Sequence, residues 1–416
     1  RAEGAPAWKR FLVRYRSVIA LLLPALVVNI VWWQSMLFPE NKLDLFQEYS
    51  FATITMVFGS IVAGMTSEGG AAVAFPVFTL AFRMPPTVAR DLSFMIQSVG
   101  MTVAFFSIFI MGVHVDWSAL VYASVGGVFG IVVGLIYVAP MMDPVTKKLV
   151  FVSVWFAFAS SLLLLNRNHD RTTYRNVPTY QWGGGPKPTF VTSGTRVDNE
   201  VREDGIVVVI VGDEDTAPPP QVRQGPQVWR ILLARVPTPE PSGLQLGPAL
   251  ALFLTGVFGG LNSAISGSGL DICSFAILTL LFRVTERTAT PTSVVLMAGN
   301  TVVGFITRLT SGAITAGGPI APLAWRLFSV CAPVVPFGAP LGTILGARLH
   351  RLTISALLYV LDTVQLIGAW VLLEPKMGPT EWGMSVGVIV GGSLCFWLIT
   401  SAGARIMGSS ELPATR

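Results

Sequence analysis

Thr66-Ser67-Glu68-Gly69-Gly70 and Ser266-Gly267-Ser268-Gly269 each cut an apolar run, at matching positions of two stretches that repeat one another at a spacing of 200 residues. Phe58-Gly59, Gly69, Phe75, Thr79-Leu80, Phe82-Arg83, Ala89, Ser93, Val103 and Phe105 recur without a gap as Phe258-Gly259, Gly269, Phe275, Thr279-Leu280, Phe282-Arg283, Ala289, Ser293, Val303 and Phe305. A pair of glycine-interrupted hydrophobic segments at equivalent places in two halves of a chain points to the binding site of a secondary transporter.

Composition agrees. Of 416 residues, 52% are hydrophobic and 12% charged. A soluble domain carries about 25% charged residues, so the deficit indicates a membrane protein. The net charge of +5 does not point to nucleic acid, because the cations cluster at the ends of apolar runs, where they set topology. Cys273, Cys331 and Cys395 lie in apolar runs without metal-site spacing. No metal or cofactor is expected.

A helical span needs roughly 17–25 residues. Candidates are 17–38, 51–82, 91–113, 118–139, 145–165, 248–282, 288–309, 324–348, 354–373 and 384–404. The two runs that hold the breaks are over-long, as for a helix broken at membrane depth or a re-entrant hairpin. The expected fold is an all-α polytopic membrane protein of about ten segments in two homologous repeats. Its parts are 1–50 with the first helix, 51–165 as repeat 1, 166–247 as a soluble insert, 248–383 as repeat 2, and 384–416 with the last helix and tail. Counted as ten single crossings, the basic N-terminus (Lys9, Arg10, Arg14, Arg16) is cytoplasmic. Arg83, Arg90, Lys147, Lys148, Arg283, Arg287, Arg348, Arg351 and Arg405 fall on the same side. The location implied is the plasma membrane. Hairpins at the breaks would make the repeats inverted instead of parallel.

Residues 166–247 differ in character, with Gly183–Pro186, Asp213–Asp215 and Pro218–Pro220, nine Lys/Arg and nine Asp/Glu. Gly205–Val211 reads as a strand and Val228–Val236 as a strand or short helix. Single crossings place this insert outside the cell; a disordered linker is the alternative reading.

Backbone that leaves the helix at membrane depth must be buried in protein or line a cavity. At the breaks, amide groups of Gly69, Gly70, Gly267 and Gly269 and hydroxyls of Thr66, Ser67, Ser263, Ser266 and Ser268, with Asn262 one turn earlier, form a donor set that suits an anion. The competing reading is that Gly and Ser only allow close helix packing. Glu68 and Asp271 lie in or beside the breaks. Intramembrane carboxylates are functional candidates, and beside an anion they would have to carry a proton. Proton coupling and helix capping are both open to them. Asp362, one turn from Gln365, is a further proton-relay candidate. Ser93 and Gln97 share a helix face, and Ser293 and Asn300 follow in the second copy; they line the cavity or bond between helices. Asp91 is expected to cap a helix that starts there. Arg83 and Arg283 end the broken helices and are expected to pair with the helix C-terminal dipole and anchor at the interface, Arg308 to snorkel, and His114 to lie in a surface turn.

Enzyme readings lack their motifs. There is no His-Glu-x-x-His, no phosphate-binding loop, and Gly267–Asp271 has one residue too many for an intramembrane aspartyl protease.

Glu68-Gly69-Gly70-Ala71-Ala72-Val73-Ala74-Phe75-Pro76, followed by Pro85-Pro86-Thr87-Val88-Ala89, resembles the sulfite exporter TauE/SafE family, also called toluene sulfonate uptake permeases. Gly69, Gly70, Pro76, Pro86 and Ala89 match its pattern. The second copy keeps Gly267, Gly269 and Ala289, with Ala276 and Glu286 in place of the prolines. The resemblance covers roughly 51–165 and 248–404. It implies export or uptake of sulfite or an organosulfonate such as sulfoacetate, driven by the proton gradient. The combined expectation is a secondary active transporter with a small anion, protons and the bilayer as partners, no nucleic acid, and no enzymatic activity. An anion channel of the same architecture, or a receptor that uses the insert, is the alternative.

Overall fold

The computed structural model describes residues 15–37, 43–66, 68–166, 173–174, 177, 190–191, 246–310, 318–349 and 351–408. The expected strands at 205–211 and 228–236 and the candidate Ser67 lie outside these residues.

The apolar runs fold into α1 (Arg16–Trp32), α2 (Ser50–Met65), α3 (Ala71–Pro76), α4 (Pro86–Met111), α5 (Trp117–Val133), α6 (Pro144–Asn166), α7 (Leu246–Ser266), α8 (Leu270–Ala276), α9 (Glu286–Thr310), α10 (Pro322–Cys331), α11 (Val335–Arg348), α12 (Arg351–Leu373) and α13 (Pro379–Gly408). Among the described residues, eight helices are long and apolar enough to cross a membrane, and α10 with α11, bent by 58°, makes a ninth if the pair is one span. Pro333 and Pro336 cause that bend, since neither can donate a helical hydrogen bond. The strands β1 (Thr173–Tyr174) and β2 (Phe190–Val191) pair antiparallel. The chain is an all-α integral membrane protein that crosses the bilayer many times.

Both breaks are hairpins. The rings of Phe51 and Phe82 lie 4.1 Å apart, so the chain that enters through α2 comes back through α3 to where it started. A Cβ on Gly59 would meet the Cβ of Val73 at 3.5 Å, and one on Gly259 would meet the Cβ of Cys273 at 3.3 Å. Each return arm widens into a π turn, Val77–Ala81 and Ile277–Leu281. Thr79 donates to Phe75 O and Thr279 to Phe275 O, both at 2.7 Å. Each arm ends at an arginine with positive φ, 53° at Arg83 and 52° at Arg283. These arginines are the left-handed residues that close the arms, as Met84 N–H reaches back to Phe78 O and Val284 N–H to Leu278 O.

Direction follows from contacts. Arg16 Nε donates to Ile110 O, and Ser107 donates to Ala20 O at 2.6 Å. α1 and α4 are therefore antiparallel, and the start of α1 and the end of α4 share one face, here called the near face. Because α2 and α3 return to the far face, α4, α5 and α6 bring the chain back to the near face. The insert leaves from there, beside the start of α1. Single crossings had put it on the opposite side; the hairpin removes one crossing and reverses its placement.

Small residues bring the two halves together. A Cβ on Gly126 would collide with Phe253 O, and one on Gly130 with Val257 O. α5 and α7 therefore run parallel with their backbones in contact. Likewise Gly338 would collide with Ser60 Oγ and Gly342 with Ile61 O, which sets α11 parallel to α2. Close backbone approach through small residues is how membrane helices gain packing energy where lipid supplies no hydrophobic drive. α4 and α9 cross antiparallel, with Gly304 against the ring of Phe94.

Candidate functional site

The hairpin tips meet inside the bundle. At the second tip α7 stops where Gly267 takes a left-handed backbone, with φ of 89°; at the first, α2 stops at extended Thr66 and Gly69 is left-handed, with φ of 69°, just before α3. Neither position has room for a side chain. A Cβ on Gly267 would lie 2.5 Å from Ser93 Cβ and 2.8 Å from Arg90 O. One on Gly69 would lie 2.8 Å from Gln97 Oε1 and 3.0 Å from Ser268 Oγ, and would strike Asp271 Oδ2.

Two hydrogen bonds join the tips and α4. Ser268 Oγ donates to Glu68 O at 3.2 Å. Gln97 Nε2 donates to Gly267 O at 2.9 Å and to Ser93 O at 3.2 Å. Two carbonyl partners fix which end of the Gln97 amide is nitrogen, and Oε1 then faces Gly69 without a donor among the described residues. Ser93 Oγ is buried and likewise has no partner among them.

The amides of the second break are engaged. Asp271 Oδ1 accepts from Gly269 N–H at 3.1 Å and Ile272 N–H at 3.0 Å, and Ser268 Oγ donates to Oδ2 at 3.0 Å. Leu270 N–H donates to Ser263 Oγ at 3.2 Å. Of the expected donors, these belong to the chain's own carboxylate and hydroxyl. Ser266 Oγ donates to Asn262 O and Ser268 O at 3.2 and 2.8 Å. In the first break Thr66 Oγ1 donates to Val62 O at 2.9 Å and receives Glu68 N–H at 3.4 Å.

Glu68 is 1% exposed and its carboxyl faces that of Asp362, which comes from α12 and is also 1% exposed. No donor among the described residues reaches Glu68 Oε1 or either oxygen of Asp362, and Oε1 of Gln365, one turn along α12, is unpartnered as well. Asp271 adds a third carboxyl to the same electrostatic neighbourhood.

The crossing thus gathers Thr66, Glu68, Gly69, Gly70, Ser93, Gln97, Asn262, Ser263, Ser266, Gly267, Ser268, Gly269 and Asp271, and Glu68 brings in Asp362. Ser293 donates to Thr290 O at 2.8 Å within its own helix, and Asn300 is buried against Gly127 of α5, with neither amide atom partnered among the described residues.

Three expectations for charged residues need correction. α4 starts at Pro86, five residues before Asp91, because proline fits the first helical position. Asp91 is therefore not a cap. Arg90 Nε and Nη2 donate to its Oδ1 at 3.0 and 2.9 Å, and Arg308 Nε and Nη2 donate to Oδ1 and Oδ2 at 2.9 and 2.8 Å. Arg308 is 1% exposed and does not snorkel. His114 is half-buried in the α4–α5 connection, not on an open surface. The sequence missed this pairing because Asp91 and Arg308 are 217 residues apart and only the antiparallel crossing of α4 and α9 joins them.

At the near face, Asp116 caps α5 through Ala119 N–H at 2.8 Å and accepts Val177 N–H at 2.6 Å, while its own N–H donates to Thr292 at 2.9 Å. Burial raises this carboxyl above its ordinary range even though these amides pull the other way. One residue thus ties the first described part of the insert to both halves.

No curated protein and no solved structure matches the chain. The family model for the sulfite exporter TauE/SafE matches residues 51–369. That stretch runs from α2 into α12 and leaves out α1 and α13, whereas the resemblance in sequence had been drawn as far as 404. It contains both hairpins and every candidate residue named above. The chain belongs to the sulfite exporter TauE/SafE family of membrane transporters.

Proposed function

We propose that the chain is a secondary active transporter that moves a small sulfur-containing oxyanion, sulfite or an organosulfonate such as sulfoacetate, by alternating access coupled to protons. The observation that carries this reading is the meeting of the two hairpin tips, one from each half, around three buried carboxyls. Discontinuous segments that meet at the interface of two repeats are where secondary transporters bind substrate. In this reading the oxyanion passes the crossing beside Ser93, Gln97 and Ser268. The facing carboxyls of Glu68 and Asp362 share a proton, since two neighbouring carboxylates do not both ionise in a buried site. Asp271 holds the second tip closed.

With the basic N-terminus in the cytoplasm of a plasma-membrane protein, the near face is cytoplasmic and the insert lies on that side. The test is uptake of radiolabelled sulfite and sulfoacetate into proteoliposomes with and without an imposed pH gradient. Saturable uptake that follows the gradient is the expected result. Uptake without saturation or coupling would favour a channel, and none at all would remove the oxyanion reading.

A further inference from the structure

Asn300 is 2% exposed, and among the described residues neither end of its carboxamide has a hydrogen-bond partner. No other buried carboxamide among them leaves both a donor and an acceptor unpaired. Such a group is costly to bury and calls for an explanation. Volume does not supply one. A Cβ on Gly127 of α5 would strike Asn300 Nδ2 and lie 2.8 Å from its Oδ1, so the side chain fills the space that Gly127 leaves. The matching place in the first half is Gly100, 200 residues earlier. There the neighbour that an added Cβ would strike is Val335 of α11, an apolar side chain. Packing at this place does not need an amide.

Asn300 stands at the depth of the hairpin crossing, between the halves. α4 and α9 are antiparallel, with Asp91 against Arg308 and Phe94 against Gly304. The same register sets Asn300 beside Gln97 and Ser98, and Gln97 is the residue that holds the Gly267 tip. Opposite the amide is bare helical backbone of α5, with Gly256 and Gly260 of α7 against it. α5 and α7 carry no charged residue. The nearest on α4 and α9 are Arg90, Asp91 and Arg308, about two turns away toward the far face, and the titratable groups of the crossing are Glu68, Asp271 and Asp362. No described side chain of these four helices offers a full positive charge at this depth. A doubly charged oxyanion is therefore costly to bring in, and one that carries a proton is less so. A protonated oxyanion also presents what the amide lacks, an O–H for Oδ1 and a bare oxygen for Nδ2.

We propose that the Asn300 carboxamide is a specificity contact for the transported oxyanion and takes it in a protonated form, hydrogensulfite or a sulfonate whose carboxyl group bears its proton. Nδ2 donates to an unprotonated oxygen and Oδ1 accepts from the O–H. The proposal rests on the oxyanion reading above and deepens it, because it names the charge state that passes between the halves.

The experiment is the concentration dependence of radiolabelled sulfite uptake by the full chain in proteoliposomes, at equal pH on both sides and at several pH values, with thermal unfolding in detergent. Asn300→Leu keeps the volume and removes both unpaired ends. At low pH, where sulfite carries a proton, it should raise the half-saturating concentration about tenfold, the loss of roughly one good contact. At high pH the rise should be smaller. The unfolding temperature should hold or rise, since an apolar group of similar shape replaces an unpaired buried amide. An amide that only bonds helices together would give the reverse, a lower unfolding temperature with unchanged half-saturation, and that result overturns the proposal. Asn300→Ala gives the same reading of uptake if the leucine variant fails to fold. A tenfold loss of equal size at every pH overturns the protonated form. Saturable wild-type uptake keeps the oxyanion reading standing after either result. No uptake of sulfite or any sulfonate by folded wild type overturns both.

Discussion

The rings of Phe51 and Phe82 pack tilted, with centroids 4.1 Å apart, and this contact fixes the topology of the whole first half. It requires α2 and its return arm to open on the same face of the membrane. With the three native cysteines replaced, Phe51→Cys and Phe82→Cys should both react with a membrane-impermeant maleimide from one side. A cysteine at Leu246, where α7 begins, should react from the other side, together with one at Tyr15. Labelling of Phe51→Cys and Phe82→Cys from opposite sides would mean that this segment crosses the bilayer.

The Asp91–Arg308 pair should be among the most sensitive positions for stability. Removing one partner of a buried ion pair leaves the other charge uncompensated and costs about 3–5 kcal/mol. Asp91→Ala should therefore lower the unfolding temperature in detergent strongly. Asp91→Leu combined with Arg308→Met should cost less than the sum of the single changes.

Backbone contact between the halves gives a sharper test, because it comes with an internal control. Gly126→Leu and Gly342→Leu would drive side chains into Phe253 O and Ile61 O and should destabilise by at least the ~1–3 kcal/mol typical of overpacking. Gly383→Leu on α13, where nothing lies within 4 Å of a Cβ, should leave thermal unfolding unchanged.

Capping and proton carriage by the carboxyls separate by substitution. Glu68→Gln and Asp362→Asn should flatten the pH dependence of uptake, since each leaves its partner without a carboxyl to share a proton with. Asp271→Asn keeps an acceptor for Gly269 N–H and Ile272 N–H and should retain uptake, whereas Asp271→Ala should lose it. Loss of pH dependence in Asp271→Asn alone would move the coupling role to Asp271.

Most of the apolar spans and both polar breaks were legible in the sequence, because each rests on local spacing: apolar runs of bilayer length, and glycines and small polar residues that interrupt two of them. The return of each hairpin was not. A helix that crosses and a helix that turns back have the same composition, and the difference lies in contacts such as Phe51 with Phe82. For the same reason the insert was first placed on the wrong face. Glu68 and Asp271 were singled out by their place in or beside the breaks, and capping by Asp271 was open from the sequence, but the partner of Glu68 was invisible: Asp362 reaches it from a helix nearly 300 residues away. Asp91 and Arg308 were misread as a cap and a snorkelling residue, since both lie near helix ends in sequence while the antiparallel crossing of α4 and α9 buries them. The second half does not reproduce the polar lining of the first, as Met297 stands where Gln97 has its counterpart.

The glycine contacts that set α5 against α7 and α11 against α2 have a mechanical consequence. The entry arm of each hairpin is gripped by a helix of the other half, backbone to backbone, so it is carried by that helix as well as by its own neighbours in the chain. Under the proposed alternating access, the bodies that slide would be mixed ones, a hairpin from one half riding with a bent or straight span from the other. The natural cleavage plane of the molecule runs across the two sequence halves instead of between them.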